Sequence, residues 1–552
     1  MQGEAAFETI WRVGTPPAEG GHPGFGHRVE EGPGFLVERD AAVTLRDGTT
    51  LYADVYRAPD AAPAPTVLTW GPYGKHFPAF TIYARFPGAG VRTEWVSEAV
   101  LFEGPDPAFW CPRGYAIVSV DPRGVWHSEG EARFADQIQE AQDCYDAIEW
   151  AAAQPWSNGR VGMTGVSYLT YIQWFVAALN PPHLAAINPW EGCSDLYREK
   201  FFHGGIRDTS FPAHWQRGIS HSLTRVEDTV AMAEAHPLLD AYWETKAARL
   251  ADVRVPAYVV ASWTDHALHT RGTIEGFKQI ASEQKWLEIH GQKKWAYYHR
   301  PASVAKQMKF FDHFLAGIDN EVPDWPRTLF AVREHGTRGH WHTGGAWPPP
   351  STEHRALHLD GVGLLRVRPP ADEREVRYAA DDPAARAQFD HTFDERVEIV
   401  GNMKLRLWVE AVGAEDMDLF VAVQKLDADG NLVTFPFYAE HDDGNVALGW
   451  LRASHRELDE ERSTPAQPWH RHRRRLPLEP GEPVAVDIEI WPSGTRFERG
   501  DMLRLIIQAR DVYDYPGAII SRHEDTVNAG THVLRMGGRF DSHLLVPVLR
   551  GA

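Results

Sequence analysis

The segment Gly165-Val166-Ser167-Tyr168 sets a serine between a short apolar run, Arg160 to Thr164, and a stretch that reads as a helix, Tyr168 to Leu179. A serine on a tight strand-to-helix turn carries its hydroxyl above the sheet, and the first backbone N–H of the helix points into the same space. Negative charge is favoured at that helix end, which suits a nucleophile that generates an oxyanion. Gly165 keeps the turn clear of a side chain. A serine hydroxyl is a weak nucleophile alone, so a base must take its proton and an acid must orient the base. Downstream, Asp265 sits just past the run Ala257 to Ser262, and His290 just past Trp286 to Ile289. Both stand at the C-terminal ends of predicted strands, where open α/β sheets assemble their sites. Asp265 is therefore expected to orient His290, and His290 to take the proton of Ser167. His266, His269 and His299 compete for the role of base, and position after a strand favours His290. Asp252 competes for the role of acid, but it precedes its strand.

These residues need elements to hold them. Ala42 to Tyr56 reads as two alternating strands joined at Asp47-Gly48, a strong hairpin signal. Thr66 to Trp70 and Tyr115 to Val120 are short buried-type strands, and Gln137 to Gln154 carries apolar residues at helical spacing. Strands alternating with helices predict a mostly parallel sheet covered on both faces, and with the order serine, acid, histidine they predict an α/β-hydrolase. Residues 14–34 are rich in Gly and Pro, and residues 1–35 are expected to form an irregular arm. The hydrolase domain is expected over 36–194 and 251–320, interrupted by a helical cap at 195–250. Past about residue 320 segments such as Lys404 to Glu410 and Val484 to Ile490 alternate strictly, so 321–552 is expected to be an all-β jelly-roll sandwich.

Several motifs together resemble the S15-like acyl esterase and peptidase family of α/β-hydrolases. Arg46-Asp47-Gly48 with Leu51 and Ala53 looks like the family's opening hairpin, and Gly71-Pro72-Tyr73-Gly74-Lys75 like its P-Y-x-K element. Asp121-Pro122-Arg123-Gly124 with Ser128-Glu129-Gly130 resembles its D-x-R-G…S-x-G segment. The most specific match is Gln154-Pro155-Trp156-Ser157-Asn158-Gly159-Arg160-Val161-Gly162 followed by Gly165-Val166-Ser167-Tyr168. In the β half, Gly449 to Arg456 resembles a piece of the family's jelly-roll, and the likeness spans roughly residues 36–550. It implies Ser167 as nucleophile, Asp265 as acid, and an oxyanion hole made by the Tyr73 phenol and the Tyr168 backbone N–H. Three departures stand out. Leu169 and Thr170 replace a small residue after the nucleophile, which predicts looser packing of the helix. Trp126 stands where many members carry Gly. Many members also place the histidine in a P-W-x-H segment, whereas here the strand runs into Ile289-His290-Gly291-Gln292-Lys293-Lys294-Trp295.

Composition narrows the partners. With 56 Lys and Arg against 76 Asp and Glu, the net charge of −20 repels phosphate backbones, so no nucleic-acid partner is expected. The run Arg471-His472-Arg473-Arg474-Arg475 lies close to Glu457 to Glu461 and reads as an ion-paired or solvated loop. The three cysteines, Cys111, Cys144 and Cys193, have neither metal nor disulfide spacing, and Met1 to Trp11 lacks the apolar core of a signal peptide. A cytoplasmic protein with no membrane span is therefore expected. His340-Trp341-His342 and His470-Arg471-His472 lack carboxylate or cysteine partners at metal spacing, so neither metal nor cofactor is expected. The 21 Trp and 25 Phe serve cores and apolar pockets, so a small-molecule ester with an apolar or aromatic acyl group is the expected substrate. Two alternatives remain. An X-prolyl dipeptidyl aminopeptidase or amino-acid ester hydrolase would use Glu191 and Asp195 to hold an ammonium group, although helix capping or pairing with Arg198 is the plainer role for them. An inactive binding protein would keep the fold without a reactive Ser167. A jelly-roll edge offers a surface on which a second copy could bury.

Overall fold

The two apolar runs flanking Asp47-Gly48 form the expected hairpin in the structure, a computed structural model that describes residues 7–59, 62–515 and 519–550. Its strands, β2 (Phe35–Thr44) and β3 (Thr50–Arg57), follow an outer strand β1 (Arg28–Gly32). The sheet continues through β4 (Ala64–Trp70), β5 (Ala116–Asp121), β6 (Ser157–Val166) and β7 (Leu184–Trp190). It is completed by β8 (Ala257–Ser262), β9 (Lys285–His290), β10 (Thr328–His335) and β11 (Arg338–Gly344). In space the order is β1-β2-β3-β5-β4-β6-β7-β8-β9-β10-β11. From β5 to β10 the neighbours are parallel; the edges are antiparallel. Every residue of β5 and β8 is buried, which is why those strands are mostly apolar and do not alternate between apolar and polar residues.

Alternation along the strands separates two cores. Leu68 and Val259 face one side and pack with helix α1 (Gln139–Ala152) and helix α2 (Tyr168–Ala177). Val67, Tyr258 and Val260 face the other and meet Phe310 and Phe311 of the later helix Pro301–Phe314. In α1 the buried Ala141, Cys144, Ala147, Ile148 and Ala151 form one stripe at helical spacing. The helix α2 is buried all round, because the cap covers the side that the sheet does not.

The region 195–250 is less helical than expected. It holds the short helices α3 (Phe211–Gly218), Thr229–Ala235 and Ala241–Glu244, a π-helical turn Tyr197–Phe201, and the strand pair Phe202–His203 with Ile206–Arg207. Nor is the arm wholly irregular: Trp11–Val13 pairs with Arg225–Glu227 of the cap, and Arg28–Gly32 is β1. Residues 1–6, the start of the expected arm, lie outside the described residues. The β half also begins inside the main sheet, since β10 pairs parallel with β9 and β11 closes the edge. That cover satisfies backbone groups that β9 would otherwise leave open. Beyond it, the long strands Val397–Val412 and Val484–Phe497 pair antiparallel, as do Asp418–Leu426 and Met502–Gln508, and their inward residues form a separate core.

Candidate active site

Ser167 follows β6 directly, in an unusual backbone conformation, φ +60° and ψ −118°. For a residue with a side chain this costs on the order of 1–3 kcal/mol and persists only if the surroundings enforce it. Here they do. The Ser167 N–H lies 3.1 Å from the Trp190 carbonyl and 2.9 Å from that of Glu191, and the Val166 N–H donates to the Glu103 carbonyl at 2.8 Å. Glu103 and Glu191 themselves have positive φ, so three strained residues brace one another. Leu169 and Thr170 do not loosen the helix. The missing space comes from the facing glycines: a Cβ on Gly71 would lie 2.7 Å from Leu169 Cδ1, and one on Gly192 2.4 Å from Thr170 Cβ. Thr170 Oγ1 also accepts the Trp190 N–H at 2.8 Å and lies 2.7 Å from the Trp190 carbonyl.

The histidine that reaches Ser167 is His269. Its Nε2 lies 3.2 Å from Ser167 Oγ, and its Nδ1 is hydrogen-bonded to Asp265 Oδ2. Asp265 leaves the end of β8 as expected, and the chain makes one helical turn into α4 (Thr270–Gln279), with the His269 N–H donating to the Asp265 carbonyl at 3.0 Å. Acid and imidazole are four residues apart and therefore on one face of that turn. The expected base, His290, is elsewhere. As the last residue of β9 it still pairs with Ser262, its ring stacks on Tyr297 at 3.7 Å, and its Nε2 lies 2.9 Å from Glu191 Oε1. Glu191 also accepts from Ser262 Oγ at 2.5 Å. This buried cluster supports the turn that holds Ser167 instead of contacting its hydroxyl. The Asp265-x-x-x-His269 spacing was the signal that pointed the other way.

Charge around the pair is finely set. Burial would raise the Asp265 carboxyl, but Lys294 and then His269 hold it well below the usual carboxylate range. Lys294 Nζ donates to Asp265 Oδ2 at 3.0 Å. His269 is pushed down to about 4 by burial and next by Lys294, against the pull of Asp265. It is therefore a neutral acceptor at neutral pH, the state a base needs.

A cavity of about 620 Å³ opens over Ser167, walled by Phe102, Phe211, Trp215, Trp295 and Tyr438 and by the Tyr73 ring. The Tyr73 carbonyl accepts from the Trp126 indole at 3.1 Å, and a Cβ on Gly74 would lie 2.3 Å from that indole nitrogen. Trp126 thus fixes the turn that carries Tyr73. Burial, followed by the nearby Glu103 charge, raises the Tyr73 phenol well above its ordinary range, so it is a neutral donor. The Tyr168 N–H, first in its helix, has no carbonyl one turn back to pair with. The Tyr168 phenol is anchored separately on Glu140 at 2.8 Å. Of the two glutamates in the wall, Glu103 and Glu440, Glu103 is 3% exposed, takes the Trp295 indole on Oε1 at 2.9 Å and has no partner on Oε2 among the described residues. Burial pushes it up to about 7.

The other candidate residues lie apart from this centre. Asp195 pairs with Arg198 at 3.0 Å, as its plainer role predicted. His340, His342 and Glu398 bring three ligand atoms within 4.8 Å, with His342 Nε2 2.8 Å from Glu398. Arg496 already occupies that cluster, 2.8 Å from Glu398 and 2.9 Å from His340 Nε2, and supplies the positive charge a metal would bring. The basic run is ion-paired, Arg474 with Glu457 at 2.6 Å and Arg473 with Glu244 at 2.6 Å, and among the described residues no helix is long and apolar enough to cross a membrane.

Comparison with known proteins bears on this geometry. Residues 47–226 match the family model of X-Pro dipeptidyl-peptidase (S15 family), and residues 320–545 that of the X-Pro dipeptidyl-peptidase C-terminal non-catalytic domain. A CocE/NonD family hydrolase structure from Staphylococcus aureus is 40% identical, with a TM-score of 0.91 over 94% of each chain. Cocaine esterase from Rhodococcus sp. (strain MB1 Bresler) is 22% identical over 94% of this chain and 99% of its own. An alpha-amino acid ester hydrolase structure, 16% identical with a TM-score of 0.71, covers 93% of this chain and 97% of its own and shares the fold. With the nucleophile turn, the buried acid and imidazole and the all-strand C-terminal half in view, the chain belongs to the S15-like family of α/β-hydrolases and is a serine hydrolase acting on ester bonds.

Proposed function

We propose that the protein hydrolyses small carboxylic esters through an acyl-Ser167 intermediate, with His269 as base and Asp265 as its orienting acid. The contiguous chain Ser167 Oγ, His269 Nε2, His269 Nδ1, Asp265 Oδ2 carries this reading. In the first half-reaction His269 takes the Ser167 proton as Oγ attacks the ester carbonyl. The oxyanion is met by the Tyr73 phenol and the Tyr168 N–H. His269 then passes the proton to the leaving alkoxide, and Asp265 stabilises the imidazolium formed in between. Water, activated by the same imidazole, releases the acid. The aromatic cavity favours an apolar or aromatic acyl group over a charged one. Three free, buried cysteines support work in a reducing cytoplasm.

A second reading, an amino-acid ester hydrolase or X-prolyl aminopeptidase, is favoured by one observation. Glu103 lines the cavity and its Oε2 has no partner among the described residues, so it could take an ammonium group, whereas Glu191 and Asp195 are spent elsewhere. The two separate by rate. We expect p-nitrophenyl butyrate to be turned over faster than the p-nitrophenyl ester of phenylalanine and an Xaa-Pro p-nitroanilide, and Glu103→Leu to leave butyrate hydrolysis within about threefold. A wild type preferring the amino-acid ester by tenfold or more, with that preference lost in Glu103→Leu, would establish the second reading.

A further inference from the structure

We infer that Lys294 is a positioning residue of this site: its ammonium fastens the Asp265 carboxylate and keeps the His269 imidazole free to act as a base in mildly acidic solution. This rests on the reading of Ser167, His269 and Asp265 given above. Lys294 opens the helix α5 (Lys294–His299), three residues beyond the turn at Gly291 that ends β9. It is 4% exposed, lines the cavity, and lies 3.0 Å from Asp265 Oδ2 and 3.3 Å from His269 Nδ1. In the hydrolytic tautomer the Nδ1 proton goes to Asp265, so the ammonium donates to the carboxylate and meets the imidazole as a charge.

Two consequences follow from that placement. A carboxylate with no exposure is driven towards its neutral form by burial, and a neutral Asp265 would neither fix the tautomer nor stabilise an imidazolium. The ammonium at contact opposes this. The same charge, next to the ring, also resists protonation of His269 by solvent. The groups facing the imidazole are Asp265 on its own turn, Lys294 on α5, Ser167 and the Tyr171 hydroxyl, 3.1 Å from Nε2, on α2, and Lys200 from the cap. Lys294 in turn faces Glu103 and Glu191. One anion and one cation thus touch the ring, and Lys200, a further basic group, acts on it in the same sense as Lys294. The direction of the His269 shift, downward by burial and then by Lys294, agrees. An ordinary imidazole would be lost as a base below about pH 6.5.

The test is the acid limb of kcat/KM for p-nitrophenyl butyrate in the wild type, Lys294→Met and Lys294→Arg. The wild-type limb is expected below pH 5, Lys294→Met should raise it by about 1–2 units, and Lys294→Arg should leave it nearly in place. A folded Lys294→Met enzyme with an unmoved limb would show that Lys294 only fills space, and would overturn the inference. If Lys294→Met fails to fold, NMR of isotope-labelled histidine in the wild type and in Lys294→Gln decides: a His269 that titrates about 1–2 units higher in the variant supports the inference, and an unmoved one refutes it. Failure of the underlying reading is visible separately, as wild-type turnover in Ser167→Ala, and the NMR titration holds its meaning in either case.

Discussion

In the proposed oxyanion hole Tyr73 and Tyr168 would act in different ways, one through a phenol and one through a backbone N–H, and one substitution separates them. Tyr73→Phe removes a donor without changing the ring that packs on Phe102 at 5.0 Å. We expect kcat to fall about 10²–10³-fold with KM little changed, since the phenol acts on the developing charge. Steady-state kinetics on a p-nitrophenyl ester reads this, and an unaltered kcat would remove Tyr73 from the oxyanion hole. At this scale chain position was informative about Ser167 and Asp265, and the family resemblance about Tyr73; Ser167 and Tyr73 line one cavity, and Asp265 lies behind the His269 ring. Strand-end position does not bring His290 to Ser167, because a strand's last side chain can face either side of the sheet, and that of His290 faces Glu191. Glu103 was not legible at all: its position rests on a positive φ and on the Tyr83 hydroxyl, which accepts its N–H at 3.0 Å, contacts separated by twenty residues of irregular chain.

At the level of elements, the nucleophile turn depends on glycines that lie outside it. Gly192 follows β7 and faces the start of α2, where a Cβ would also lie 2.8 Å from the Ser167 carbonyl. Gly192→Ala must therefore push the turn itself. We expect about 1–3 kcal/mol of lost stability in urea unfolding, together with a drop in kcat. Unchanged values of both would mean that α2 can shift without cost. The hairpin at Asp47-Gly48, the buried parallel strands and α1 were readable because each is long enough for its period to show. The cap was not: its pieces run from two to eight residues, too short for a stripe, and tertiary contacts such as the Trp11–Val13 pairing decide their form. The change to strict alternation after residue 320 was correct as a change of strand type. It could not reveal that β10 and β11 first complete the hydrolase sheet, because hydrogen-bond partners leave no mark on a strand's own pattern.

Across the whole molecule the β half is part of the site, since Tyr438, Ala439 and Glu440 reach the cavity and Arg271 bridges Glu199 of the cap to Glu489 of the sandwich. Burial on this scale has a pH signature. His266, His299, His455 and His470 are held down to about 3, and His269 and His532 to about 4, mainly by burial. Below about pH 6.5 the unfolded chain binds protons that these imidazoles refuse, so their contribution to stability is lost as the pH falls towards 4. Glu103, Glu140 and Glu199, held up to about 7 by burial, act in the opposite sense, and they are fewer. Calorimetry is therefore expected to show Tm lower at pH 5 than at pH 7 by several degrees. A Tm that rises on acidification would mean the carboxylates dominate.

The central claim is that Ser167 is activated by His269 and not by His290. A fluorophosphonate probe followed by peptide mapping tests it most directly in the wild type, His269→Gln and His290→Gln, with folding of each variant checked by circular dichroism. We predict a single adduct on Ser167 in the wild type, labelling slowed at least a thousandfold in His269→Gln, and labelling retained in folded His290→Gln. Retained labelling in His269→Gln, with loss in folded His290→Gln, would contradict the account.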